Sequence, residues 1–116
     1  MQLKKTYRNI NPELLYDEIQ DLVLKHGAIL KEKKLETYAL PGGSSHISRG
    51  TLIFKAAGEQ SGGGGECIRV HVIGSAAGET KMILDIEESV FPLVKLSALE
   101  EELDFMFGPY EVGKQK

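Results

Sequence analysis

The sequence of 116 residues contains one cysteine and no tryptophan. A lone Cys67 can neither close an intramolecular disulfide nor supply a thiolate cage for a metal, so the chain must hold together by burying apolar surface. Long apolar runs are also missing. Polar and charged residues interrupt every stretch well short of the roughly 20 residues that a membrane-spanning helix needs. Positive charge is not in excess either: 14 basic residues stand against 17 acidic ones, for a formal net charge of -3. A chain so balanced has no global field to attract nucleic acid or an anionic membrane. No signal peptide is expected, since Lys4, Lys5 and Arg8 lead into a helical pattern with no apolar segment between. These absences give the expectation of a cytoplasmic protein.

Enough apolar material is present for one core. Hydrophobic residues make up 41% and charged residues 27%, and the length suits a single domain over residues 1–116. The clearest organisation lies between Cys67 and Glu87, where Ile68, Val70 and Val72 alternate with Cys67, Arg69 and His71. After the glycines at 74 and 78 the alternation resumes, with Met82, Leu84 and Ile86 against Lys81, Ile83 and Asp85. Two period-2 runs separated by glycines predict an antiparallel hairpin with one buried face. Setting Gly74 opposite Thr80 pairs Ile68 with Ile86, Val70 with Leu84 and Val72 with Met82 on the core side, and Arg69 with Asp85 on the other.

The remaining elements fall around this hairpin. Residues 1–8 suit a short strand with Leu3, Lys5 and Tyr7 on one side. Asn11 as N-cap and Pro12 at the first helical position open a helix whose apolar stripe is Leu14, Leu15, Ile19, Leu22 and Val23, closed by Gly27. The charges of Lys31, Glu32, Lys33, Lys34 and Glu36 mark 28–40 as an edge strand. Another strand is expected over 51–56, then a flexible glycine-rich connection over 58–65. Ser97 and Glu100 have capping-box spacing for a second helix carrying Leu99, Leu103 and Met106, with an earlier start near Pro92 as the alternative. Gly108 and Pro109 end that helix, leaving 110–116 as a tail. The order strand, helix, four strands, helix predicts an α+β two-layer sandwich: a mostly antiparallel sheet with both helices on one face.

No stretch carries a recognisable catalytic signature. The glycines at 62–65 precede a strand rather than a helix, which argues against a phosphate cradle. Ser44, Ser45, His46, Ser48 and Arg49 combine nucleophile and base types, but nothing in sequence supplies an orienting carboxylate or an oxyanion site. His46, His71, Asp85 and Glu87 lack metal-ligand spacing on one element, so no metal and no cofactor are expected. Lys4, Lys5 and Arg8 would form a basic patch with Lys31, Lys33 and Lys34 only if the first two strands were neighbours.

The feature that points furthest is the outer face of the sheet. By the hairpin register it carries Arg69, His71, Ile73, Lys81, Ile83 and Asp85, joined by Ile53 from the preceding strand. Three isoleucines on a face meant only for water mark a contact surface if they cluster. The expected function is therefore a small non-catalytic binding or oligomerisation module, a homodimer or a protein binder, acting through that face. A domain binding a small anion through Arg49, Arg69 and His71 is the alternative, and a hydrolase using His46 or His71 comes third.

Overall fold

The computed structural model describes residues 1–39, 41, 46–56, 66–75, 78–91 and 93–112. Five strands and two helices follow in the expected order: β1 (Gln2–Arg8), α1 (Pro12–Lys25), β2 (Ala28–Ala39), β3 (His46–Ala56), β4 (Glu66–Gly74), β5 (Glu79–Ile86) and α2 (Leu93–Phe107). The sheet is antiparallel throughout, in the order β1-β5-β4-β3-β2, and both helices pack on one side of it. The glycine-rich connection at 58–65, the pair Ser44 and Ser45, and residues 113–116 lie outside the described residues.

The central hairpin has the expected register, with Ile68, Val70, Val72 and Gly74 opposite Ile86, Leu84, Met82 and Thr80. Its inward side chains join Leu52 and Phe54 of β3, Leu15, Tyr16, Ile19 and Val23 of α1, and Leu96, Leu99 and Leu103 of α2 in one hydrophobic cluster. Gly50 is in that layer because Tyr16 occupies the space above it. A Cβ built on Gly50 would stand 2.3 Å from Tyr16 Cδ1, so only glycine lets the ring approach the strand. One residue breaks the alternation. The β3–β4 register shifts between Phe54 and Lys55, which lets Cys67 and Ile68 both turn inward, and burial pushes the Cys67 thiol above its ordinary pKa.

Helix α1 starts as the sequence predicts. Asn11 Oδ1 accepts hydrogen bonds from the backbone N–H of Glu13 at 2.7 Å and of Leu14 at 3.3 Å, and Gly27 follows the helix with φ +99°. The stripe differs at two positions: Tyr16 is buried, whereas Leu14 is half-exposed on the flank of the helix. Helix α2 does not start at a capping box. It opens at Leu93, and Ser97 is exposed in its second turn. Burying Leu96 stabilises by about 1.5–3 kcal/mol, more than the ~1 kcal/mol typical of a serine cap, so the turn before Ser97 is helical.

Two further expectations are corrected. Strands β1 and β2 lie at opposite edges of the sheet, so Lys4 and Arg8 are separated from Lys31, Lys33 and Lys34 by three intervening strands. Lys5 points inward instead, with its Nζ 3.5 Å from Asp104 and from Glu111. The chain beyond α2 is not a free tail from residue 110. After a 3-10 turn at Gly108–Tyr110, Glu111 bridges to Tyr7, and Val112 N–H donates to Thr6 O at 2.7 Å, extending the β1 edge.

Leu84→Ala should lose roughly 2–5 kcal/mol of unfolding free energy in urea titrations, because it opens a cavity in the buried cluster that both helices cover. Ser97→Ala, at an exposed mid-helix position, should change stability by no more than about 0.5 kcal/mol. A loss near 1 kcal/mol for Ser97→Ala would restore the capping role.

Candidate functional site

Because the helices cover one side only, the other side of the sheet is a surface of side chains from five strands, ordered by register. One row reads Lys4, Ile83, His71, Thr51, Lys34 from β1 to β2. Its neighbour reads Thr6, Lys81, Ile73, Arg49, Glu36, and on the other side runs Gln2, Asp85, Arg69, Ile53, Glu32. The structure therefore brings Arg49, Ile53, Arg69, His71, Ile73 and Ile83 onto one face. His46 is separated from them. It opens β3 on the same side as Ser48 and Gly50, the side that the helices cover.

The isoleucines do not form one patch. Ile73 and Ile83 are diagonal neighbours and half-buried, but Ile53 lies beyond Arg69 and His71. Ile53 is only 8% exposed, flanked in register by Glu32 and Arg69, whose aliphatic stems are long enough to shield it.

Electrostatics on this face are mostly settled by local pairs. Arg69 stands opposite Asp85 but gives its guanidinium to Glu66, with Nη2 3.0 Å from Oε1 and 2.8 Å from Oε2. Asp85 accepts from Gln2 Nε2 at 2.7 Å. Arg49 stands opposite Glu36, whose carboxyl is held below its ordinary range first by the Tyr38 hydroxyl, which donates at 2.8 Å, and then by Lys34 and Arg49. Among the described residues the side chains of His71 and Lys81 make no hydrogen bond or ion pair. At one end of the face, an open hollow of about 510 Å³ is lined by Glu66, Cys67, Arg69, Asp85 and Glu87 with the N-terminal Met1. Three carboxylates line it, against the N-terminal ammonium and one arginine that is already paired with Glu66.

Sequence pattern alone missed a second surface, on the helical side. Leu14, Phe105 and Tyr110 are exposed around an open groove between the start of α1 and the end of α2. The signal was present at Phe105, which lies off the face shared by Leu99, Leu103 and Phe107. At Leu14 it was masked by the adjacent Leu15. The far end of the helix pair is fastened by Glu102, which accepts a hydrogen bond from Lys25 Nζ and lies 2.8 Å from His26 Nε2.

The chain matches no protein-family model, no curated protein and no solved structure.

The Glu102 carboxyl is held below its ordinary value of 4.5, chiefly by the hydrogen bond from Lys25 and then by that from His26. A depressed carboxylate stabilises the fold above its unfolded pKa, and that contribution is lost as pH falls through the folded value. Glu102→Gln should therefore melt at a lower temperature than wild type at neutral pH. The gap should close as pH is taken below 4.5 in a series of thermal melts.

Proposed function

We propose that the protein is a non-catalytic association module that uses the outer face of its sheet, most simply to form a symmetric dimer. The supporting observation is the pair Ile73 and Ile83, diagonal neighbours on the side of the sheet that neither α1 nor α2 covers and surrounded by Arg49, His71 and Lys81. An apolar centre with a charged surround is the composition of a contact surface. The driving force is modest. Complete burial of an exposed isoleucine stabilises by about 1.5–3 kcal/mol, but both side chains are already partly covered and Ile53 has almost nothing left to bury. A dimer built this way dissociates on dilution.

Binding of a small anion is the second reading, favoured by the placement of Arg49, His71 and Arg69 within three adjoining rows. An anion would have to compete with Glu66 for Arg69 and with Glu36 for Arg49. The hydrolase reading has less support: among the described residues neither His46 nor His71 is hydrogen-bonded to a carboxylate that could orient its ring.

Light scattering over a dilution series, paired with circular dichroism, separates these readings. Wild type should show a mass above the monomer that falls on dilution. Ile83→Asp should be a folded monomer, because the new charge would be desolvated only in the complex. A wild type that is monomeric at every concentration, with a melting temperature that rises on adding phosphate or a dicarboxylate, would favour the anion site instead.

A further inference from the structure

The most exposed aromatic side chain among the described residues, Phe105, is on the helical side of the molecule. Phe105 is 86% exposed and Leu14 51% exposed, and with Met106 and Tyr110 they line an open groove of about 480 Å³ between the two helices. The groove continues along the helix pair into a second hollow of about 190 Å³, which shares Glu18 and Met106 and adds Asp21. From Leu14 to Lys25 on α1 this trough runs about 16 Å at 1.5 Å per residue, the length of some three helical turns. Among the described residues Glu18 and Asp21 make no ion pair, while the one cation lining the trough, Lys25, is engaged by Glu102.

We propose that this trough receives a basic amphipathic helix of a partner protein. The apolar floor and the acidic α1 wall favour such an occupant, independently of the outer sheet face. An amphipathic helix in a groove seats large apolar residues spaced three and four apart. Here they would meet Leu14, Phe105 and Met106, while lysines or arginines along one flank meet Glu18 and Asp21 on the α1 wall and others can lie over the Phe105 and Tyr110 rings. Charge decides against the other occupants. Carboxylates along the walls repel an anionic membrane. A second copy of this chain offers only acidic helices, α1 with Glu13, Asp17, Glu18 and Asp21, and α2 with Glu100, Glu101, Glu102 and Asp104.

The test is a titration of the 116-residue chain into a fluorophore-labelled synthetic helix of leucine and lysine in amphipathic order, with a leucine–glutamate helix of the same pattern as control. Anisotropy should rise saturably with the leucine–lysine helix alone, and affinity should fall with added salt. Phe105→Ala and the charge reversal Glu18→Lys should each weaken binding roughly tenfold or more, with unchanged circular dichroism, as loss of an anchor or of a complementary charge predicts. Ile83→Asp should leave it unchanged. Equal binding of the leucine–glutamate helix, or binding insensitive to Phe105→Ala, would overturn the proposal. So would a wild-type oligomer that Phe105→Ala converts to monomer, which would make the occupant a second copy, or Phe105-dependent sedimentation with phosphatidylserine vesicles, which would make it lipid.

Discussion

The pairing of β4 with β5 decides what each side of this molecule is. Side chains on a strand alternate with a period of two, so a slip of one residue would carry Val70, Val72, Leu84 and Ile86 to the outside and Arg69, His71, Ile83 and Asp85 into the core. The register is pinned at its closed end by Gly74 and Thr80. A Cβ on Gly74 would lie 2.4 Å from Thr80 Oγ1 and 2.5 Å from Thr80 Cα, so the two strands meet there at a distance only glycine permits. Thr80 is fully buried, and its hydroxyl has no hydrogen-bond partner among the described residues. Close approach at the turn carries that cost, and the reward is a hairpin whose two faces are unambiguous to the helices that pack on it.

Most of this architecture was legible in the sequence because the signals were local and redundant. The hairpin announced itself through alternation, glycine placement and the Arg69–Asp85 charge match together, and α1 through Asn11, Pro12 and Gly27. What was not legible depended on contacts distant in sequence. Ser97 and Glu100 have the spacing of a capping box and the apolar stripe allows a start near Pro92, and local pattern does not choose between them. The helix opens at Leu93 because Leu96 is needed in the core beside Leu99 and Leu103, and burial of a leucine outweighs one cap. The inward turn of Cys67 comes from a register shift against β3, which alternation within β4 cannot reveal. The docking of Glu111 and Val112 on β1 joins the two ends of the described chain, and the sequence at 110–112 carries no strand pattern to announce it.

The same distinction governs the candidate site. Face membership was readable, because it follows from parity along each strand once the register is known. Partner choice was not: Arg69 faces Asp85 across the ladder but pairs with Glu66 three residues back along its own strand, and Gln2 takes Asp85. Opposite charges in register therefore set where side chains start, while rotamer and reach decide where they end. Ile53 illustrates the same limit for apolar groups. Its parity places it outside, yet long neighbours on both flanks leave it almost as covered as a core residue.

A formal charge of -3 conceals a division between the two layers. Both helices are acidic, each with a single lysine, Lys25 in α1 and Lys95 in α2, whereas the outer face of the sheet carries Lys4 and Arg8 from β1, Lys81 from β5, Arg69 from β4 and Arg49 from β3. The two exposed surfaces consequently differ in sign as well as in apolar content, and they stand back to back across the sheet. Occupation of one leaves the other open. A dimer formed through the outer sheet face would carry two outward-facing helical troughs. A partner presenting two basic helices on a linker able to span them would then be held by an intramolecular second contact rather than by higher affinity at either groove. Weak association through Ile73 and Ile83 would suffice for that arrangement, because its effect on binding would be geometric: it would set how far apart the troughs stand, while Phe105 and Leu14, both more than half exposed, would supply the apolar surface at each one.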